Sequence, residues 1–297
     1  MLWILIALLS PLLHGLSNIL DNYFVNGIFR NPVILVFFAS SINILFLPLI
    51  LLIETPHMLP LNVLPFIIIL GLTNIFYLYP YYKALESDDT SIVSSLFSLG
   101  KIFVPLLAFF IVQEKLTTLQ YAGFFVILLA STALTLNTHQ KKIRLNNSFF
   151  WMLLCSLILT IESVMYKYVF IHVSWATGFF WAVISSFVLV LPMLCIKKYR
   201  RDIVSQFSTF KKSFHLFALE EFLTFGGSIG STLAISLAPV TLVEGIFSLQ
   251  PVFVLGYALL FSRWYPKVFK EKIDAKSIIK KVFLFLILLT GVLLLTR

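Results

Sequence analysis

Long, continuously apolar stretches alternate with short polar segments along the whole chain. A helix that crosses a bilayer needs about 20 mainly apolar residues. Ten stretches have this length, and they cover residues 2–20, 33–53, 63–82, 91–112, 119–136, 149–170, 175–196, 214–237, 241–261 and 278–295. Spanning strands would be about 10 residues long and would alternate apolar with polar positions, which these stretches do not. The pattern therefore predicts an all-α polytopic membrane protein with ten transmembrane helices.

Composition narrows the classes of function. Of the 297 residues, 60% are hydrophobic and only 12% are charged, whereas about 25% of a soluble domain is charged. This excludes a soluble enzyme, a disordered region, a coiled coil and a nucleic-acid-binding domain. Cys155 and Cys195 lie in apolar stretches and indicate neither a disulfide framework nor a metal site. No Walker motif is present, so we expect no direct use of ATP and no cofactor.

The two halves of the chain resemble each other. Residues Ala84 to Val104 align with Ala234 to Val254 at an offset of 150, and seven of the 21 aligned positions are identical. Such a match can also arise by chance between apolar segments. If it reflects a repeat, each half holds five helices, and an odd number inserts the halves in opposite orientations. We therefore predict two inverted five-helix repeats, residues 1–148 and 149–297.

Several motifs resemble the EamA-like, ten-helix members of the drug/metabolite transporter superfamily, over the whole chain. The segments that carry the resemblance are Ala84 to Leu99, its echo Ala234 to Leu249 before Pro251, and Glu114-Lys115-Leu116-Thr117 followed by Gln120 and Gly123. The resemblance implies a transporter of small metabolites, not an enzyme, with a central cavity between its halves. It also implies the inner membrane of a bacterial cell. Where the family has a proline in helix four, this chain has Lys101, with Pro105 four residues later.

The distribution of basic residues predicts the topology. Of the Lys and Arg residues, 18 fall on one predicted side of the membrane and three on the other. Cytoplasmic loops are enriched in these residues, which predicts that the loops at 137–148 and 197–212 are cytoplasmic and that both termini are outside. The family resemblance implies the opposite orientation of the termini, and the sequence leaves the question open. A basic side also attracts anionic lipid headgroups.

Two charged residues are predicted near the middle of the membrane. Lys101 lies about halfway along helix four, and Glu162 lies at a similar depth in helix six. An ionisable group at this depth costs about 3 kcal/mol and needs a partner or a water-filled cavity. Lys101 and Glu162 either bind the substrate in one cavity or form a structural ion pair with each other.

Further polar residues are candidates for the same cavity. His14 and Asn18 in helix one are candidate substrate-binding residues, although His14 could instead bond to a backbone carbonyl or to Asn18. Glu220, Glu221 and Glu244 are candidates for proton coupling, since a histidine beside carboxylates can relay protons. For Glu244, near the start of helix nine, capping of the helix is the alternative.

Tyrosine and serine side chains complete the predicted binding site. Tyr79 and Tyr82 share a face of helix three, while Tyr81 is expected to point elsewhere. They could stack on a planar or cationic ligand, or they could belong to an interfacial aromatic belt. Ser98 in helix four is assigned to the cavity as well. Small residues at 226, 227, 230 and 231 of helix eight favour close helix packing.

The leading functional hypothesis is secondary transport of a small polar metabolite, an amino acid or a related solute, by alternating access. Protons are a candidate coupling ion, and the protein could act as a monomer or a dimer. A lipid or lipid-phosphate translocator is the main alternative. An intramembrane transferase is favoured less, because the acids that cluster in sequence, Glu86, Asp88 and Asp89, form no repeated metal-binding motif.

Overall fold

The protein is built from helices. The computed structural model describes residues 2–29, 31–88, 90–138, 147–262 and 275–296, and every regular element in these ranges is helical. Six of the helices there are long and apolar enough to cross a membrane by length and composition, and three other apolar helices are shorter. The predicted all-α membrane fold is confirmed. Crossing of the membrane by all ten segments stays a prediction.

We group the described helices into ten segments, several of which are interrupted. They are α1 (Leu2–Tyr23), α2 (Pro32–Ile42, Asn43–Phe46 and Pro48–Leu51), α3 (Leu64–Phe76 and Leu78–Leu85), α4 (Thr90–Leu96, Ser98–Lys101 and Val104–Val112), α5 (Thr118–Thr138), α6 (Asn147–His172), α7 (Trp175–Val190, then Leu191–Cys195), α8 (Lys197–Leu237), α9 (Val240–Phe247 and Gln250–Ser262) and α10 (Ala275–Leu295). A π-helical turn, Phe24–Ile28, follows α1.

Prolines explain three of the interruptions. In α3, α4 and α9 a helical piece ends four residues before Pro80, Pro105 and Pro251, respectively. Proline has no N–H to donate to the carbonyl four residues earlier, and its ring crowds that carbonyl. The helix therefore breaks before each of these prolines.

Helices of the first half pack against helices of the second half, and each such pair has a counterpart with the halves interchanged. α1 packs against α8 and α9, and α6 packs against α3 and α4. α5 and α10 pack against each other. If α1–α5 and α6–α10 are interchanged in order, so that α1 becomes α6 and α6 becomes α1, the same set of pairs results. Two structurally related halves would give this pattern. The division of the chain at residues 148 and 149 stays a prediction.

Helix α8 is longer than the sequence pattern predicts. We expected a helix from residue 214 after a basic loop, but α8 begins at Lys197 and runs for 41 residues. The segment contains no glycine or proline before Gly226, and some of its apolar side chains pack against the bundle. Ile203 and Phe217 are buried there, and Phe210 stacks on Phe38 of α2 with ring centroids 4.3 Å apart.

The predicted loop at 197–212 is therefore wrong. Residues 139–146 of the other predicted basic loop lie outside the described residues.

The stacked pair of Phe38 and Phe210 leads to a first prediction. We expect Phe210→Ala to lower the free energy of unfolding by about 2 kcal/mol, since the ring is partly buried and a fully buried phenylalanine contributes more. Phe207→Ala, one turn earlier on α8 and 55% exposed, is the matched control and should change stability by less than about 1 kcal/mol. Denaturant unfolding of the purified protein in detergent measures both. Equal losses would show that the extension of α8 does not pack on α2.

Candidate functional site

A polar cavity lies between the two halves. Its volume is about 200 Å³, and its walls come from α1–α4 and α6–α9. The described residues of α5 and α10 contribute nothing to it. Most of the ionisable groups inside it are acidic. Those that line it are His14, Asp21, Lys101, Glu162, Glu220, Glu221 and Glu244.

Lys101 and Glu244 form an ion pair across the cavity. The Nζ atom of Lys101 lies 3.1 Å from Oε2 of Glu244, and both side chains are largely buried. The Ser163 hydroxyl donates a hydrogen bond to Oε1 of Glu244, and Nζ of Lys101 also lies 5.6 Å from the centre of the Phe247 ring. The pair thus joins α4 in the first half to α9 in the second. The alternative of an ion pair between Lys101 and Glu162 is wrong.

Glu162 lies in the same cavity without the partner we expected. Its Oε2 atom is buried and has no hydrogen-bond partner among the described residues. Nearby on α6, the Tyr166 hydroxyl accepts a hydrogen bond from Asn74 of α3 at 3.1 Å. The Lys101 charge is already balanced by Glu244, so the Glu162 carboxyl is available to a ligand or a proton.

Three carboxyl groups from α1 and α8 gather in another part of the cavity. We call Asp21, Glu220 and Glu221 the acidic cluster. All three are buried, with 6%, 2% and 3% of their surface exposed. The Tyr81 hydroxyl lies 2.9 Å from Oδ2 of Asp21, and the Thr224 hydroxyl donates to Oε1 of Glu220 at 2.9 Å. None of the ion pairs found in the described ranges involves this cluster.

Comparison with known proteins finds a family likeness in the first half of the chain. Residues 1–136 match the model of the EamA-like transporter family. A solved crystal structure, titled only as that of a protein, is 15% identical and has a TM-score of 0.57, over 97% of this chain and 98% of that one. At this identity the likeness shows the fold alone. No curated protein matches the chain.

The match to the EamA-like transporter family and the long apolar helices support an integral, multi-pass membrane protein. The description of the family as transporters names no substrate. The residues that bind a solute must therefore be argued from the cavity itself.

Most of the predicted site residues do line the cavity. These are His14, Asn18, Tyr82, Lys101, Glu162, Glu220, Glu221 and Glu244. Two predicted residues do not. Ser98 is buried outside the cavity, and Tyr79 packs edge-on against Trp151 with ring centroids 5.7 Å apart. Whether any of these residues binds a solute or carries a proton stays a prediction.

The tyrosines of α3 are placed differently from the prediction. Tyr77 and Tyr81 line the cavity, although Tyr81 was expected to point elsewhere. Residues 74, 77 and 81 follow one another at three- and four-residue spacing, which keeps them on one face. The break before Pro80 leaves this spacing intact, and Tyr79 lies on the opposite side.

Asp21 is the main residue that the sequence analysis missed. We ended the first helix at residue 20, whereas α1 continues to Tyr23. His14, Asn18 and Asp21 recur at the spacing of one helical face. A search for polar residues at this period, rather than for the end of the apolar stretch, could have found Asp21.

Two glutamates of the first half bind the ends of second-half helices. Glu114, which follows α4, accepts hydrogen bonds from the backbone N–H groups of Val240 and Thr241 at 2.7 and 3.0 Å. Glu54, which follows α2, accepts one from Ala176 at 3.3 Å. A carboxylate stabilises a helix N-terminus by satisfying its free N–H groups and its dipole. Glu114, and not Glu244, therefore caps α9.

Lys167 of α6 plays the corresponding part at a helix C-terminus. Its Nζ atom donates hydrogen bonds to the carbonyl groups of Ile235 and Ala238, both at 2.9 Å. A cation there satisfies the last carbonyls of α8 and opposes its dipole.

Small residues of α8 allow α1 to approach closely. A Cβ atom on Gly227 would lie 2.8 Å from the ring of His14, and one on Gly230 would lie 3.1 Å from the carbonyl oxygen of Ile6. Only glycine fits at such distances. The predicted packing role of these positions is confirmed, and it fixes the His14 ring against α8.

Proposed function

We propose that this protein is a secondary transporter that moves a small polar metabolite, an amino acid or a related solute, by alternating access. The observation that carries the proposal is the buried polar cavity with walls from four helices of each half. Relative motion of the halves would open such a cavity first to one side and then to the other. Binding sites at a repeat interface with discontinuous helices are typical of secondary transporters.

The size and lining of the cavity favour a small, polar solute. Its volume of about 200 Å³ is below the roughly 300–1,000 Å³ of pockets for drug-sized ligands. Charged residues inside a membrane protein are costly and mark substrate or ion pathways. A lipid or lipid phosphate would need a larger and more apolar site, so we favour transport of a metabolite over lipid translocation and over an enzymatic reaction.

Two further proposals concern the location of the protein and its coupling ion. We propose the inner membrane of a bacterial cell as the location. We also propose protons as the coupling ion, with the buried carboxyl groups of Glu162 and of the acidic cluster as carriers. A pH gradient imposed on proteoliposomes should then drive uptake, whereas uncoupled transport would follow the solute gradient alone.

Filling the cavity tests the function. We expect Ser228→Trp to abolish uptake, because Ser228 of α8 lines the cavity and an indole would occupy much of its volume. Ser205→Trp, on the exposed side of the same helix, is the matched control and should transport as the parent does. Both serines already donate a hydrogen bond to a backbone carbonyl within their own turn.

The measurement is uptake of labelled amino acids, amines and nucleosides by proteoliposomes. Thermal unfolding of the same samples checks that each variant is folded, and Ser228→Leu provides a smaller change if the indole prevents folding. A parent protein that accumulates none of these solutes, or a folded Ser228→Trp variant that transports normally, would contradict the proposal.

A further inference from the structure

The cavity that holds the acidic cluster is lined by polar atoms that have no partner. Oε2 of Glu220, the Ser40 hydroxyl and Nδ2 of Asn18 are buried and make no hydrogen bond among the described residues. Ser40 and Asn18 are 4% and 5% exposed, both line the cavity, and the Tyr81 hydroxyl joins Asn18 to Asp21. Since buried polar groups are normally satisfied, this concentration indicates that a bound group completes the site.

The chemistry of these atoms favours a ligand that donates hydrogen bonds. When Glu220 is ionised its Oε2 atom accepts only, and Oδ1 of Asn43, also without a partner in the described part of the chain, is an acceptor too. The Tyr81 hydroxyl is already engaged with Asn18 and Asp21. An ammonium group carries three N–H donors and no acceptor. It would therefore satisfy Glu220 and Asn43 at once, whereas Nδ2 of Asn18 is itself a donor and would need an acceptor elsewhere on the ligand.

Charge points to the same class of ligand. Five carboxyl groups line the cavity against one lysine and one histidine, and Lys101 is already paired with Glu244. Carboxylates buried together without a cation are costly, and a bound cation removes this cost. An anionic solute would meet the opposite situation, because the lysine in the described cavity lining, Lys101, is already held in an ion pair.

Aromatic rings border the cluster. The rings of Tyr81 and Tyr82, and those of Tyr81 and Phe97, have centroids 5.4 Å apart. All three residues line the cavity. Aromatic faces attract cations, and their apolar surface suits the short carbon chain that an organic ammonium carries.

We propose that the acidic cluster, with Oδ1 of Asn43 and the ring of Tyr81, binds the ammonium group of a small organic amine that the cavity carries. This substrate class rests on the proposed transport function, but binding can be measured without transport. The site would exclude simple carboxylic acids of the same size.

Ligands of one length and different charge test the proposal. Butylamine, 4-aminobutyrate, butyrate and 1-butanol share a four-carbon chain, and 1,4-diaminobutane adds a second ammonium group. Each is added to the purified protein in detergent at neutral pH and equal ionic strength, and thermal unfolding is followed, since a ligand of the folded state raises the transition temperature. We expect the three amines to raise it and butyrate and 1-butanol to leave it unchanged.

Variants locate the ammonium group. Glu220→Gln keeps the size of the side chain and removes its charge. We expect this variant to need at least a tenfold higher concentration of butylamine than the parent to reach half of its maximal thermal shift, because one charged hydrogen bond is lost. Asp21→Asn should act in the same direction. Glu86→Gln is the control, because Glu86 lies at the surface in an ion pair with Lys83, and it should bind butylamine as the parent does.

Three outcomes would overturn the assignment. Butyrate could protect as well as butylamine, sodium chloride at the same concentration could protect equally, or folded Glu220→Gln and Asp21→Asn could both bind butylamine unchanged. In each case, the transport function would still be supported if the parent takes up a solute and Ser228→Trp abolishes that uptake. Conversely, amine binding without any uptake would contradict the transport function and retain the ammonium site.

Discussion

Lys101→Met is expected to lower the free energy of unfolding by about 3–5 kcal/mol, because it leaves the buried Glu244 carboxylate without its counter-charge. The Nζ atom of Lys101 is 3.1 Å from that carboxylate, and both side chains are largely buried. Methionine fills most of the space of lysine, so loss of the charge dominates the effect. Denaturant unfolding of the purified protein in detergent gives the free energy.

A second substitution identifies the partner. We expect Lys101→Met combined with Glu244→Gln to be more stable than Lys101→Met alone, since removing both charges leaves no unpaired ion, and Ser163 can still bond to the glutamine. Lys101→Met combined with Glu162→Gln should give no such recovery. Recovery with Glu162→Gln and none with Glu244→Gln would contradict the ion pair described above.

An exposed ion pair provides the control for this series. Lys83 and Glu86 lie 2.7 Å apart on α3, and about a third of each side chain is exposed. Exposed pairs contribute about 0–1 kcal/mol. Lys83→Met should therefore change stability by less than about 1 kcal/mol, and a loss as large as that of Lys101→Met would show that burial is not the cause.

Gly100→Ala is expected to cost about 3 kcal/mol, at the upper end of the usual range for overpacking. A Cβ atom on Gly100 would lie 2.2 Å from the carbonyl oxygen of Ser156 on α6. The N–H of Gly100 also donates to the Ser156 hydroxyl at 2.9 Å. The obstacle is backbone and cannot rotate away, so α4 and α6 must separate and disturb Lys101, the next residue.

Gly256→Ala is the matched control, because nothing lies within 4 Å of a Cβ atom at Gly256 of α9. It should be neutral or stabilising by up to about 1 kcal/mol, the difference in helix propensity. Ser156→Ala should not rescue Gly100→Ala, since the clash is with the carbonyl and not with the side chain. Thermal unfolding of the four proteins checks this, and equal behaviour of Gly100→Ala and Gly256→Ala would refute the close contact.

The sequence alone identified the helices and the polar positions that face inward. A stretch of about 20 apolar residues predicts a membrane helix from local chemistry. Charged residues such as Lys101 and Glu162 in such stretches must avoid lipid. The location of eight predicted site residues in the cavity follows from these two facts.

The local sequence pattern predicted the wrong helix boundaries where the boundary depended on packing. The basic, amphipathic segment from Lys197 resembles a loop by charge, yet it is helical because Phe210 and Phe217 find aromatic partners on α2 and after α1. Asp21 resembled the end of a helix because it directly follows the apolar stretch of α1. Its carboxyl is accommodated inside the bundle only because Tyr81 of α3 lies beside it.

Partners were decided only by the tertiary structure. The sequence shows that Lys101 needs a counter-charge and led us to Glu162, whereas the packing of α4 against α6 and α9 brings Glu244 to it. Likewise, Asp21 and the pair of Glu220 and Glu221 are about 200 residues apart in the chain, and α1 meets α8 through glycines. Periodicity specifies which face of each helix is buried, whereas the contacts across that face depend on how ten helices are placed together.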